Sequence, residues 1–468
     1  MRTFEDIPNE IIMHIARDVS SSSELISLTL TSRRLRGIAE TQLYRSVSLE
    51  DGGHETEDER QLRGFVHTLI SRPELRPLTR HLAISWYGLY DEEETKPEMP
   101  YVADESKLST LQTLAREKGM SARAVSDLKK GWCRPYFSLL MHILPSLESL
   151  VIREMNSDAV ITTKWAWGPG EYHGPLPVAF QSLRSFELNF HMDEDGLRAA
   201  DVVPFMSLPA LNSFRVSQFA GWGTVRWHKA ESSNDAESNN DAESNNAESS
   251  NDAEFSDDDG PAPRIFQSMR FTNRSSKLKK LDFNLSVVAP ELLDGILQIP
   301  EALDILIYDN GGDAVLYHEI DPPAFCRALR HQIRSLTTLR ITVSGYLADI
   351  DESLEPMGTL SDFISLKKLS VPCLYLFGHP SVVDDGPQES RKFFDLLPPN
   401  LSSVTIGTED WDVEKFIDAV GGGEDEGWRS LLSQRLPHLE ELIVTSEEPN
   451  NAAATLEVMG INFQLLTY

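Results

Sequence analysis

The sequence holds few residues whose types and spacing could do chemistry. Gly421, Gly422 and Gly423 lack the Lys-Ser/Thr pair that follows a phosphate-binding loop, so they predict a loop hinge. Asp384 and Asp385 lack the spacing of a calcium-binding loop. The twelve histidines form no HExxH pair, and no serine lies in a GxSxG turn. We therefore expect no catalytic residue, no bound metal and no cofactor.

The three cysteines, Cys133, Cys326 and Cys373, are far apart and form no CxxC pair. This spacing favours three small buried hydrophobic side chains over a metal site or a disulfide framework. Because it predicts no disulfides, it also favours a reducing compartment. The sequence opens with no apolar leader, and no apolar run is long enough to cross a membrane. We expect a cytoplasmic or nuclear protein.

Composition and net charge indicate which classes of molecule this protein is expected to bind. Hydrophobic residues make up 40% of the 468 residues, which is typical of a folded chain. The formal net charge is -30, whereas nucleic-acid-binding proteins concentrate Lys and Arg. An acidic surface would also be repelled by anionic lipid. We therefore expect neither nucleic acid nor a membrane as partner.

The best-patterned stretch is the first fifty residues, which predict three short helices followed by a strand. Asp6 and Pro8 are typical of a helix start, the serines from Ser20 to Ser23 provide a second cap, and Thr31 or Ser32 a third. Each helix repeats apolar residues at the spacing of a 3.6-residue period. About 40 residues rarely build a sufficient core alone, so either the rest of the chain or another protein must cover these helices.

The same stretch resembles the F-box. The matching residues are Ile7-Pro8-x-Glu10-Ile11-x3-Ile15, then Leu25-x2-Leu28-x-Leu30-Thr31-Ser32-Arg33-x-Leu35-Arg36. The following Ala39-x3-Leu43-Tyr44-Arg45-x-Val47-x-Leu49 is similar to the form found at the start of fungal F-box proteins. The resemblance implies an F-box over residues 1–46 that binds the Skp adaptor of a cullin–RING ubiquitin ligase. The adaptor-binding residues it implies are Ile7, Pro8, Ile11, Ile12, Ile15, Leu25, Leu28, Leu30 and Leu35.

A second pattern returns through the rest of the chain as Leu-x2-Leu-x-Leu, with apolar replacements. Copies with a preceding Pro begin at Leu147, Leu211, Leu303, Leu401 and Leu439, and copies without it begin at Leu183, Leu278, Leu336 and Leu366. Each copy predicts a short strand whose alternate apolar residues turn inward, and one unit can bury them only by stacking on the next. The spacing resembles that of leucine-rich repeats. We expect an α/β fold: an irregular solenoid over residues 47–228 and 264–468, with parallel strands on one face and helices on the other.

The stretch 229–263 interrupts this array. It carries many acids and almost no apolar residue, so it cannot offset its ordering entropy by burial. We predict a disordered acidic low-complexity insertion, and we favour an inert insertion over a ligand-binding or phosphorylated segment. Trp222 and Trp227 flank it and are weak candidates for contact with a target protein.

Two hypotheses about function remain open from the sequence. In the first, which the F-box resemblance implies, the chain is a non-catalytic substrate receptor of a Skp–cullin–F-box ubiquitin ligase, and the repeats hold an unknown target protein. In the second, the chain is a repeat scaffold whose F-box-like helices only cap the solenoid.

Overall fold

The computed structural model describes residues 7–19, 21–49, 55–86, 105–154, 176–190, 197, 199–219, 274–311, 321–344, 354–378, 394–407, 434–446 and 462–467. The predicted insertion 229–263 lies outside these residues. So do the capping residues Asp6 and Ser20.

After the first three helices, the described helices lie between strands, although several pairs of successive strands have no described α-helix between them. The α-helices are α1 (Asn9–Asp18), α2 (Ser22–Thr31), α3 (Arg33–Leu43), α4 (Glu55–Ser71), α5 (Glu105–Glu117), α6 (Ala122–Lys130), α7 (Cys133–Ile143), α8 (Val178–Ser182), α9 (Ala199–Val202), α10 (Pro290–Gln298), α11 (Pro322–Leu329) and α12 (Cys373–Phe377). Short 3₁₀ helices span Pro73–Leu78, Val203–Ser207 and Arg330–Gln332.

The strands form one parallel sheet whose order across the sheet follows the order along the chain. They are β1 (Ser46–Leu49), β2 (His81–Trp86), β3 (Ser149–Glu154), β4 (Ser185–Phe190), β5 (Ser213–Ser217), β6 (Lys280–Asn284), β7 (Ile305–Gly311), β8 (Thr338–Ser344), β9 (Lys368–Pro372), β10 (Ser403–Gly407), β11 (Glu441–Ser446) and β12 (Asn462–Thr467). The predicted α/β fold with parallel strands is confirmed. The strands expected from the repeated Leu pattern are present. Strand β12 was not expected, because Gly460 stands where the first Leu of the pattern would be.

One backbone motif joins successive units from β1 to β11. The carbonyl oxygen just before each strand accepts hydrogen bonds from two consecutive amides at the start of the next unit. The Arg45 oxygen accepts from the amides of Arg80 and His81, both at 3.0 Å. The Thr337 oxygen accepts from those of Lys367 and Lys368, at 2.9 and 3.1 Å. This motif satisfies backbone groups at the strand starts and keeps every unit in the same register.

The register places equivalent apolar residues side by side. Leu150 of β3 aligns with Leu82 of β2 and Phe186 of β4, and all three are buried. The first Leu of each copy, such as Leu147 and Leu336, is also buried. Residues between them along a strand point to the opposite face. The core therefore lies on one side of the sheet, where helices also pack on one another, α4 on α7 and α10 on α11.

Candidate functional site

The three helices at the start of the chain begin where their capping residues predict. Pro8 immediately precedes α1, consistent with its fixed φ and missing amide. The Ser21 hydroxyl accepts a hydrogen bond from the amide of Glu24, and the Ser32 hydroxyl accepts one from the amide of Leu35 at 3.2 Å. The predicted caps in the Ser20–Ser23 run and at Thr31 or Ser32 are therefore confirmed as Ser21 and Ser32.

These helices enclose a small core that is distinct from the large core beneath the sheet. Its buried members are Ile12, Ala16, Leu25, Leu35, Ile38 and Ala39. Helices α1 and α2 both pack on α3, which places α3 in the middle of the unit. Residues 9–43 thus build their own core, as a module that the sheet supports from one end.

Two apolar pairs face away from this core. On α1, Ile11 is 50% exposed and Ile15 is 47% exposed. On α2, Ile26 is 48% exposed and Leu30 is 76% exposed. Each pair has i, i+4 spacing, so its two side chains lie on the same helix face. Large exposed aliphatic side chains in such pairs are typical of a helix face that binds another protein.

The segment before α1 is held by α3. The Arg34 guanidinium donates one hydrogen bond to the Ile7 carbonyl oxygen and another, from Nε, to the Asn9 side chain at 2.7 Å. Ile7 is half-buried against the small core, while Pro8 remains exposed. The exposed Pro8 therefore lies on the same module as the Ile11–Ile15 pair.

The predicted adaptor-binding residues fall into three groups. Pro8, Ile11, Ile15 and Leu30 are exposed, and Ile7 and Leu28 are half-buried. Ile12, Leu25 and Leu35 are instead buried in the small core, so their side chains are not on the exposed surface of the module. The apolar stripe of α1 splits because Ile12 and Ala16 turn inward and Ile11 and Ile15 outward. Ile26 was missed, although its spacing from Leu30 was visible in the sequence.

The module is fastened to the rest of the protein at the end of α3. Arg72 donates to Glu40 through both terminal nitrogens, at 2.8 and 2.9 Å, and through Nε to Glu74 at 2.9 Å. The hydrogen bond from Arg72 lowers the pKa of the Glu40 carboxyl. Burial raises the pKa of the neighbouring Tyr44 hydroxyl, whose ring stacks on Phe65 of α4 at 6.4 Å between centroids. An ion pair and an aromatic contact therefore join α3 to the first unit of the sheet.

Among the residues that the structure describes, the remaining chemical candidates form no second site. Trp222 and Trp227 lie outside the described residues, as do Gly421 to Gly423, Asp384 and Asp385. Cys133, Cys326 and Cys373 are buried, which confirms their prediction as interior side chains. Among the described residues, no group of His, Cys, Asp and Glu is arranged to hold a metal ion. No helix in this part of the chain has the length and apolarity needed to span a bilayer.

Comparison with known proteins supports the assignment of the module. Residues 4–50 match the family model described as F-box-like. The match covers the three helices and β1, so the start of this 468-residue chain carries an F-box-like domain. A search of curated proteins found no match.

Proposed function

We propose that this protein is a substrate-recognition subunit of a Skp–cullin–F-box ubiquitin ligase. The F-box-like domain binds the Skp adaptor, and the parallel-sheet region holds a target protein. The observation that carries this proposal is the pair of outward-facing aliphatic residues on each of α1 and α2, on a module that matches the F-box-like family.

The docking surface in this proposal consists of exposed apolar side chains. They are Pro8, Ile11, Ile15, Ile26 and Leu30, with half-buried Ile7 and Leu28 at their side. Ile12, Leu25 and Leu35 act indirectly, because they fix the angle at which the helices present these residues. Complete burial of an exposed aliphatic side chain contributes about 1.5–3 kcal/mol, so contact of these half-exposed residues with an apolar adaptor surface would favour docking.

The mechanism is proximity. The receptor holds the target beside a ubiquitin-charged enzyme on the cullin–RING assembly, which raises the effective concentration of target lysines at the reactive thioester. No chemical step is assigned to a side chain of this protein. Its contribution is the relative position of the adaptor surface and the target surface, and the Arg72–Glu40 contact supports a fixed relation between them.

The same proposal assigns the remainder of the chain. Residues 1–46 are the F-box, residues 47–228 and 264–468 form an irregular leucine-rich-repeat-like solenoid, and residues 229–263 form a disordered insertion between them. The repeated carbonyl motif and the aligned buried leucines support a repeat array. The resemblance in residues 7–49 favours the fungal form of the domain. The scattered cysteines, which favour a reducing compartment, support the cytoplasm or nucleus.

The alternative hypothesis is a scaffold whose F-box-like helices only cap the repeats. The contact between α3 and β1 favours it, because the module does extend the array at its first strand. A pure cap would bury its apolar faces against the repeats. The exposure of Ile11, Ile15, Ile26 and Leu30 therefore favours the receptor.

Capture of purified Skp adaptor by the full-length protein tests the proposal. The Ile11→Asp, Ile15→Asp double variant should lose capture, because two carboxylates would be desolvated against an apolar partner. The matched control is His14→Asp with Arg17→Gln, which makes the same net charge change at exposed positions of α1 and leaves the isoleucines in place. Equal capture by the isoleucine variant and the wild type would rule out this docking surface, and equal loss in the control would assign the effect to charge alone.

A further inference from the structure

The open face of the sheet carries a local excess of positive charge at β8 and β9. Arg340 points away from the core because its neighbours Leu339 and Ile341 are buried. Lys368 points the same way, next to buried Leu369, and the Lys367 side chain is exposed just before β9. We call Arg340, Lys367 and Lys368 the basic patch. It stands on a protein whose net charge is -30.

The register brings the patch together. Arg340 pairs with Ser370, and Thr338 pairs with Lys368, so the two cations occupy diagonal positions on adjacent strands. Adjacent strands lie about 4.8 Å apart, within the reach of these long side chains. No described carboxylate forms an ion pair with Arg340, Lys367 or Lys368. Two like charges thus lie on adjacent strands, with a third at the start of β9, and none has a counter-charge from the described part of the protein.

The carboxylates on the flanking strands are engaged elsewhere. On β7, Asp309 accepts a hydrogen bond from the Thr342 hydroxyl at 2.9 Å, and Asp304, just before that strand, lies 3.6 Å from the Lys279 ammonium. On β11, Glu441 accepts from the Ser403 hydroxyl at 2.9 Å. The patch therefore has an acidic boundary on each side.

Between these boundaries the described outward side chains of β8 to β10 add several hydroxyl groups to the three cations and no carboxylate. They are Thr338, Thr342, Ser370, Ser403 and Thr405. Arg can bind a carboxylate through two parallel hydrogen bonds, and Lys acts as a point charge. The hydroxyls of Thr338, Ser370 and Thr405 can donate further bonds, whereas those of Thr342 and Ser403 already donate to Asp309 and Glu441. This combination suits a ligand with several negative groups close together.

We propose that the basic patch binds a short acidic segment, rich in Asp and Glu, of the target protein. The inference deepens the proposed function and rests on it for the identity of the partner. From β7 to β11 the sheet spans four strand spacings, roughly 19 Å, which an extended peptide of about six residues covers. A long polyanion such as nucleic acid would extend past both acidic boundaries. It would then be repelled by the rest of the protein, whose net charge is -30.

Fluorescence anisotropy with the full-length protein tests this surface. The probes are a labelled hexapeptide of alternating Glu and Asp, the same peptide with Gln and Asn, and a labelled six-nucleotide DNA strand. We expect binding of the acidic peptide that weakens as salt is raised, because the contacts are solvent-exposed ion pairs. Binding of the amide peptide with equal affinity, or of the DNA strand with equal or greater affinity, would overturn the proposal.

Paired variants locate the binding. Arg340→Glu with Lys368→Glu should weaken peptide binding by about tenfold or more, a loss equivalent to about 1.4 kcal/mol. Arg116→Glu with Lys129→Glu makes the same charge change at exposed positions of α5 and α6 and should keep most of the affinity. Equal weakening by the two variants would show a whole-protein charge effect and overturn the site.

Measuring capture of the Skp adaptor by the same variants tests the proposed receptor role independently of peptide binding. Because the patch is remote in sequence from the F-box-like domain, both charge variants should capture the adaptor as the wild type does. Peptide binding without adaptor capture would keep the acidic-segment site and remove its ubiquitin-ligase context. Adaptor capture without peptide binding would do the reverse.

Discussion

Arg72 donates two parallel hydrogen bonds to the Glu40 carboxylate, and this ion pair joins the F-box-like domain to the first unit of the sheet. The Glu40 side chain is 17% exposed and that of Arg72 is 40% exposed. Glu40 lies on α3 and Arg72 directly follows α4, so the bond ties together two segments with separate hydrophobic cores. In the proposed receptor, this contact would support a fixed orientation of the helices that bind the adaptor relative to the target surface.

Replacing Arg72 by Gln should loosen this junction without unfolding either core. We expect a loss of up to about 1 kcal/mol of unfolding free energy, because half-exposed ion pairs are screened by solvent. Since the folded state lowers the pKa of Glu40, the contribution is present at neutral pH and is lost as pH falls through that lowered value. Chemical denaturation at pH 7 and pH 3 measures both effects.

Two further variants separate the Glu40 contact from the other partner of Arg72. Glu40→Gln should reproduce most of the Arg72→Gln effect, and the double variant should add little to either. Glu74→Gln removes a more exposed partner and should have a smaller effect. Additive losses in the double variant would contradict a direct coupling between Arg72 and Glu40.

A second prediction concerns Gln332, a buried amide at the end of the 3₁₀ helix after α11. Its nitrogen donates to the carbonyl oxygens of Leu297 and Pro300 at 2.7 and 3.1 Å, and its oxygen accepts from the amide of Leu303 at 2.9 Å. Gln332→Leu would leave these buried backbone groups without partners. We expect a loss of about 3 kcal/mol, since each unsatisfied buried group costs about 1–3 kcal/mol.

The control for Gln332 is Gln298→Leu. Gln298 is half-buried at the end of α10 and donates only to the backbone oxygen and the carboxylate of Asp294, a side chain that is 45% exposed to water. Its replacement should cost less than about 1 kcal/mol. A loss at Gln332 no larger than at Gln298, measured by urea denaturation, would contradict the assigned role of the buried amide.

The sequence predicted the strands well, because each Leu-x2-Leu-x-Leu copy carries its own inward-facing residues. It did not reveal the structural role of Gln332, because this side chain bonds to a backbone oxygen 35 residues away and no local sequence pattern indicates such a contact. It also did not separate Ile11 and Ile15 from Ile12 and Ala16, because both pairs have the same spacing. Only packing on α3 decides which pair is inside. The Arg72–Glu40 pair likewise joins residues 32 apart that no periodicity connects.

Acid should destabilise the protein through His142. Burial on α7 lowers the pKa of this imidazole to about 4. The unfolded chain takes up the proton near pH 6.5, so the stabilisation is complete above pH 6.5 and is lost as pH falls toward 4. This group alone should account for a loss of about 2 kcal/mol between pH 7 and pH 5.

The variant His142→Gln isolates this contribution. It should shrink the difference in unfolding free energy between pH 7 and pH 5, whatever its effect on stability at pH 7. His14→Gln changes an exposed histidine of α1 and should leave that difference as it is in the wild type. An unchanged pH dependence in His142→Gln would show that other groups cause the acid sensitivity.

The last prediction compares Leu25 and Ile26, two aliphatic neighbours that lie on different faces of α2. Ile26 is 48% exposed and Leu25 is 7% exposed. Ile26→Ser with Leu30→Ser should preserve stability but weaken Skp adaptor binding by about tenfold or more, the equivalent of about 1.4 kcal/mol. Leu25→Ser should instead destabilise the small core by about 3 kcal/mol, as large-to-small core substitutions do.

Hydrogen exchange of α1 and α2 with and without the adaptor distinguishes these outcomes. In the wild type, the adaptor should slow exchange along both helices, since bound helices open less often. The Ile26, Leu30 variant should show wild-type exchange when free and little added protection with the adaptor. The Leu25 variant should exchange faster already when free. Strong protection of residues 11–15 and 26–30 in the isolated wild-type protein, unchanged by adaptor, would favour helices that only cap the repeats, because a cap is complete without a partner.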